Sequence, residues 1–82
     1  MFPRDVLLRY RWTPSLDPAD LEIIFVSRGH PGDVEVVRGD EIDDIRRDSF
    51  VVGGKVIPYH RVVEIRDGER VVFRRQRSQG KG

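Results

Sequence analysis

The chain has no cysteine, which removes disulfide staples and thiolate metal sites from consideration. Histidine is nearly as scarce. With only His30 and His60, an all-protein transition-metal centre would need carboxylates to complete it, so no metal and no other cofactor is expected. No apolar run approaches the roughly 20 residues that span a bilayer. The N-terminus lacks the charged-then-apolar pattern of a secretory signal. A cytoplasmic protein without membrane contact is therefore expected. The serines (Ser15, Ser27, Ser49 and Ser78) sit in no nucleophile-elbow motif, and no catalytic residue is assigned. Lysine is almost missing too: of 15 basic residues only Lys55 and Lys81 are lysines.

What replaces lysine is arginine, whose planar fork of donors matches phosphate and stacks on bases. A GC-rich genome or a heat-adapted host would produce the same excess. The formal net charge of +1 announces no grip on a long polyanion, but the charges are unevenly placed. Asp40, Glu41, Asp43, Asp44 and Asp48 crowd one segment, while Arg70, Arg74, Arg75 and Arg77 follow one another without an intervening acid. Such asymmetry would steer a polyanion to one face. The acidic run lacks the calcium-loop spacing and reads as a solvated face. At 82 residues the chain makes one domain with a small core. Its expected extent is residues 1–75, with 76–82 a loose polar tail.

Residues 3–11 read as an amphipathic helix, with Pro3 in the first turn, Asp5 near the positive end, and Val6, Leu7 and Tyr10 on one face. A second short turn is expected at Asp17-Pro18. Residues 21–27 form a strand with Leu21, Ile23 and Phe25 on one face and Ile24 and Val26 on the other, which suits a central position. Residues 34–38 return antiparallel to it. Ile42 and Ile45, three apart among acids, fit one helical turn capped by Asp40 or an irregular segment. Gly53-Gly54 and Asp67-Gly68 each sit between strand-like runs, a strong hairpin signal. The expected class is α+β: an N-terminal helix packed on a mainly antiparallel sheet of five to six short strands, open or curled into a partial barrel. The expected core is Val6, Leu7, Tyr10, Ile23, Phe25, Val36, Ile42, Ile45, Phe50, Val52, Ile57, Val63, Ile65, Val71 and Phe73.

Two polar motifs stand out. In Arg28-Gly29-His30-Pro31-Gly32-Asp33 the glycines would let successive N–H groups converge on an anion, with Arg28 adding a bidentate contact. The plainer reading is a hairpin turn with Arg28 paired to Asp33 and His30 at its tip. In Ile57-Pro58-Tyr59-His60-Arg61 a proline interrupts a strand, which it can do only at an edge or a bulge. An extended backbone there would put Tyr59 and Arg61 on one face and His60 on the other. Tyr59 could stack on a base, Arg61 clamp phosphate, and His60 donate a hydrogen bond or act as acid or base. The plainer reading is a structural bulge with His60 bonded to a carbonyl and Arg61 to an acid. Among the other aromatics, Trp12 is the candidate for stacking.

Taken in order, these stretches resemble a family of small archaeal proteins, the RNA cyclic group end recognition domain, which is also attached to RNA-processing domains. The stretches are Asp5-Val6-Leu7, Trp12-Thr13-Pro14, Leu21-Glu22-Ile23-Ile24-Phe25-Val26, Arg28-Gly29-x-Pro31-Gly32-Asp33, Gly39, and Ile57-Pro58-Tyr59-His60-Arg61-Val62 with Glu64-Ile65. They cover nearly the whole chain except the tail. The sequence departs from the pattern at His30, where a small residue is expected, and at Ser27, where a larger polar one is common. The resemblance implies recognition of RNA ends bearing a 2′,3′-cyclic phosphate. Arg28, His60 and Arg61 would be its ligand contacts, Tyr59 a stacking surface, and Gly29 and Gly32 the loop formers. It also admits an RNA-processing protein as partner. Two alternatives stay open. One is a phosphodiesterase acting on such ends through His60 with His30, although neither histidine is followed two positions on by serine or threonine. The other is a protein-interaction module that does not bind RNA.

Overall fold

The computed structural model describes residues 2–26 and 34–75. Helix α1 (Pro3–Trp12) forms where Pro3 needs no N–H partner and the Asp5 carboxylate accepts from the Phe2 backbone N–H at 3.3 Å. It runs one residue beyond the expected end and stops at Thr13, which precedes proline. Pro3, Val6, Leu7 and Tyr10 make its buried face. The second turn, a 3-10 helix over Pro18–Asp20, is capped as expected: the Asp17 carboxylate accepts from the Ala19 N–H at 2.9 Å. Among the described residues no helix is long and apolar enough to cross a membrane.

Seven strands follow: β1 (Leu21–Val26), β2 (Val34–Arg38), β3 (Ile42–Ile45), β4 (Ser49–Val52), β5 (Lys55–Pro58), β6 (Val62–Asp67) and β7 (Arg70–Arg74). The α+β class holds, but there are seven strands rather than five to six. They form two sheets rather than a barrel: one of order β2-β1-β6-β7 and one of order β3-β4-β5. Every pairing is antiparallel. The turns are the legible part. Gly53 and Gly54 both take positive φ, 56° and 83°, which a two-residue hairpin requires and β-carbon-bearing residues resist. β1 is central as expected, buried at Leu21, Ile23 and Phe25.

Bulges account for the misread segments. Ile42 and Ile45 are three apart, yet they lie on β3 and not on a helical turn. Ile42 opposes Val52 and Asp44 opposes Val51, so Asp43 is an extra residue that lets a strand present the same face at i and i+3. A 3-10 turn does form just before, at Gly39–Glu41. The same device operates on β6. Ile24 opposes Glu64 and Phe25 opposes Val62, leaving Val63 as the bulge. Val62 is consequently buried in place of the expected Val63, and Ile65 is buried as expected. The observed core also contains Leu21 and Tyr59. Val36 is not in it: it is 54% exposed, because it opposes the outward-facing Ile24. Val71 is 40% exposed beside a bulge on β7.

Candidate functional site

The Tyr59–Arg61 segment is a 3-10 turn, not an extended chain. It is the corner at which the chain leaves β5 of the three-stranded sheet and enters β6 of the four-stranded one. The expected alternation of faces therefore does not apply. Tyr59 turns into the core and is 2% exposed. Its ring stacks on Phe50 at a centroid distance of 5.8 Å and meets Phe2 edge-on at 6.3 Å. Its hydroxyl donates to the Arg46 carbonyl at 2.6 Å. Burial pushes its pKa up to about 12; the nearby Arg4 charge opposes the shift, and Asp44 and Asp48 reinforce it. A ring held in this way is no platform for a base, which corrects the stacking role expected of Tyr59.

The two residues that follow point the other way in accessibility. His60 is exposed and Arg61 half-buried, and neither side chain has a hydrogen bond or ion pair among the described residues. The turn that carries them is braced from behind. Arg75 donates from Nε to the Val62 carbonyl at 2.9 Å and from Nη2 to the Tyr59 carbonyl at 2.8 Å, and its backbone N–H reaches the Val63 carbonyl at 2.9 Å. Its guanidinium lies 5.9 Å from the centre of the Phe73 ring. Arg75 reads in the sequence as part of a basic run, but it serves as a structural clamp that fixes where His60 and Arg61 stand.

Two further arginines belong to segments that touch Tyr59, and the sequence alone does not single them out. Tyr59 bonds residues 46–48 twice, through its hydroxyl to Arg46 and through its backbone N–H to the Asp48 carbonyl at 3.2 Å. Ser49 also opposes Pro58 in the sheet register. Arg47 is thereby carried next to the turn; it is exposed and without an ion pair among the described residues. Arg4, at the start of α1, is close enough to act on the Tyr59 phenol, and its buried Nε has no hydrogen-bond partner among the described residues. Arg47 is hidden in sequence by the acids around it, and Arg4 by its distance along the chain. No local pattern marks either.

The motif containing Arg28, Gly29, His30 and Gly32 lies outside the described residues. Its flanks do not. It leaves β1 at Val26 and re-enters β2 at Val34, and these two residues oppose each other. On the other side of β1, Phe25 opposes Val62, the residue directly after the 59–61 turn. Neighbouring strands run about 4.8 Å apart. The strand ends bounding the 27–33 segment and the His60–Arg61 turn thus share one end of the four-stranded sheet.

Much of the arginine excess is engaged elsewhere. Glu64 accepts from Arg66 and, at 3.2 Å, from Arg74; these bonds hold its carboxyl below the usual range despite a smaller opposing effect of burial. Arg38 pairs with Asp40 at 3.2 Å and Arg46 with Asp44 at 3.1 Å. Trp12 is 75% exposed, so its surface is open. No cluster of three or more metal-ligating side chains occurs among the described residues.

Compared with known proteins, the chain matches over residues 1–75 the family model described as MJ1316 RNA cyclic group end recognition domain. It is 40% identical over 68 residues to a UPF0248 protein of Archaeoglobus fulgidus, covering 82% of this chain and 96% of that one. It is 36% identical over 64 residues to a UPF0248 protein of Methanopyrus kandleri, covering 78% and 86%. Over 57 residues it is 46% identical to a UPF0248 protein of Pyrobaculum islandicum, covering 62% and 68%. No solved structure matches.

Proposed function

The chain belongs to the MJ1316 RNA cyclic group end recognition domain family, and from that premise we propose that it is an RNA-binding module that recognises RNA termini, its ligand being the 2′,3′-cyclic phosphate end. The observation that carries this reading is the pair of side chains, His60 and Arg61, that have no partner among the described residues, on a turn whose carbonyls Arg75 holds. The Phe25–Val62 register sets that turn beside the end of β1, and Arg28 follows β1 in the sequence.

The chemistry suits the ligand. A cyclic phosphate carries one negative charge and no free 3′-hydroxyl. It needs a few convergent donors rather than a long basic track, which accords with a net charge of +1. Arg61 and Arg28 supply charge-assisted bonds and His60 a further donor, with Gly29 and Gly32 shaping the loop. Stacking of a terminal base falls to an exposed aromatic such as Trp12, because Tyr59 is buried.

The test is binding of one short labelled RNA with three ends, 2′,3′-cyclic phosphate, 3′-phosphate and 3′-hydroxyl, at fixed salt. A preference for the cyclic end of tenfold or more, about 1.4 kcal/mol, is expected. Arg61→Ala and His60→Ala should each reduce it. Equal affinity for all three ends would refute end recognition. His60, exposed and without a partner among the described residues, also favours a second reading, hydrolysis of such ends. Conversion of the cyclic RNA to a monoester by the wild type but not by His60→Ala would establish that reading instead.

A further inference from the structure

At the other end of β7, away from the 59–61 turn, α1 and β7 enclose a groove of about 420 Å³. Its floor is mainly apolar, made by Val6, Tyr10 and Leu16 on the helix side and Val71 and Val72 on the strand. Arg9 and Arg70 stand on its rim. Arg9 is exposed and has no ion pair among the described residues. Among the described residues Arg70 has only a loose carboxylate partner, Asp67 at 3.9 Å, and its side chain is 75% exposed. The Asp67 oxygen nearest Arg70 is already engaged, since the Tyr10 hydroxyl donates to it at 2.5 Å. The groove therefore presents two guanidinium groups over a mainly apolar floor, with the Asp67 carboxylate shared between the Tyr10 hydroxyl and Arg70.

This chemistry fits a nucleotide unit, with a base against the mainly apolar floor and phosphates on the two arginines. The size agrees, since sites for small organic ligands run from about 300 to 1,000 Å³. The groove is also placed in line with the proposed end site. Arg75 braces the His60–Arg61 turn, and Arg70 lies five residues earlier on the same strand. At about 3.3 Å per strand residue the two ends are roughly 17 Å apart. A stacked strand advancing about 3.4 Å per nucleotide would cover that span in about five nucleotides.

We propose that the α1–β7 groove is a second RNA subsite, which holds the single-stranded segment about five nucleotides upstream of the captured end. The proposal rests on the reading of the 59–61 corner as the end site. It makes Arg9 and Arg70 determinants of substrate length rather than of end chemistry.

The test is anisotropy binding of labelled single-stranded RNAs of two to ten nucleotides, each prepared with a cyclic phosphate and with a 3′-hydroxyl end, at one salt concentration. Wild-type affinity should rise with length up to about five or six nucleotides and then level off. The double variant Arg9→Gln/Arg70→Gln should lose at least fivefold in affinity for the longer RNAs, gain little or nothing with length, and keep the wild-type ratio between the two ends. Arg38→Gln/Lys55→Gln, which removes the same charge on the opposite edge strand and at a hairpin, should keep the length dependence. Both arginines of the groove are exposed, and thermal unfolding of the double variant checks that it folds. Unchanged length dependence in Arg9→Gln/Arg70→Gln overturns the groove proposal, whatever the end preference. Equal loss in the Arg38→Gln/Lys55→Gln control overturns it too, because net charge alone would then explain the effect. A wild type that ignores the end but keeps a length dependence carried by Arg9 and Arg70 would refute the end site and leave the groove standing. Absence of RNA binding overturns both.

Discussion

Removing one oxygen atom tests whether Tyr59 belongs to the core or to the ligand. In Tyr59→Phe the ring keeps its stack on Phe50 and its edge contact with Phe2, and only the bond to the Arg46 carbonyl at 2.6 Å is lost. A neutral hydrogen bond of this kind contributes about 1 kcal/mol net. With a urea slope near 1 kcal/mol/M for so small a domain, the midpoint should fall by about 1 M. The thermal midpoint should drop by about 4–8 °C. Alkaline titration supplies an independent signature. Burial raises the folded-state pKa of Tyr59 from 10.0 to about 12, so the protonated phenol is the form that the fold favours. Its contribution is complete below pH 10 and is lost as pH rises from about 10 to about 12. The variant has no phenol at this position and should lack that part of the alkaline decline, keeping only the part due to Tyr10, whose pKa is raised by burial and by its bond to Asp67. Affinity for RNA ends should stay within about twofold of wild type. A variant with unchanged urea and alkaline behaviour but tenfold weaker end binding would refute the argument, because the hydroxyl would then be serving the ligand.

Three other outcomes follow from the packing. Gly39→Ala should destabilise by about 1–3 kcal/mol by chemical denaturation, because an added β-carbon would stand 2.5 Å from the Pro18 carbonyl oxygen and 3.1 Å from the Leu21 β-carbon. Arg75→Ala should lower stability by about 2 kcal/mol and weaken end binding, since two carbonyl bonds to a charged donor disappear. Arg75→Lys, which keeps the charge without the planar fork, should recover only part of both. Glu64→Gln should flatten the acid limb of a stability–pH profile. The folded carboxyl titrates below its ordinary 4.5, so its contribution is present above that pH and lost below it, and the amide cannot titrate.

The elements with local signals were legible. The proline-led helix, the Asp17 cap, the Gly53-Gly54 and Asp67-Gly68 hairpins and the central β1 are each determined by a few neighbouring residues. Misreadings came where a bulge altered the period. Ile42 and Ile45 follow helical spacing because Asp43 is looped out of a strand, and Val62 displaces Val63 from the core for the same reason. Tyr59 was misassigned because a row of polar side chains after a proline looks like a surface, whereas a 3-10 turn directs the first of them inward. The His-Arg pair marks the 57–61 segment in the sequence, but not that it forms a corner between two sheets. Arg75, Arg47 and Arg4 carry no such mark, because their link to it depends on sheet register and on bonds between distant segments.

The pairing of β1 with β6 has a kinetic consequence. The β1–β2, β3–β4–β5 and β6–β7 units each close locally, whereas β1 and β6 are separated by the whole three-stranded sheet. Contacts between residues far apart in sequence carry the larger loop-closure cost and limit the folding rate. The corner and the strand ends of the 27–33 segment meet only when that last pairing is made. A nascent chain with its hairpins formed is thus still blind to its ligand. An RNA end bound at this corner would act as a latch, slowing unfolding while leaving the rate of folding untouched.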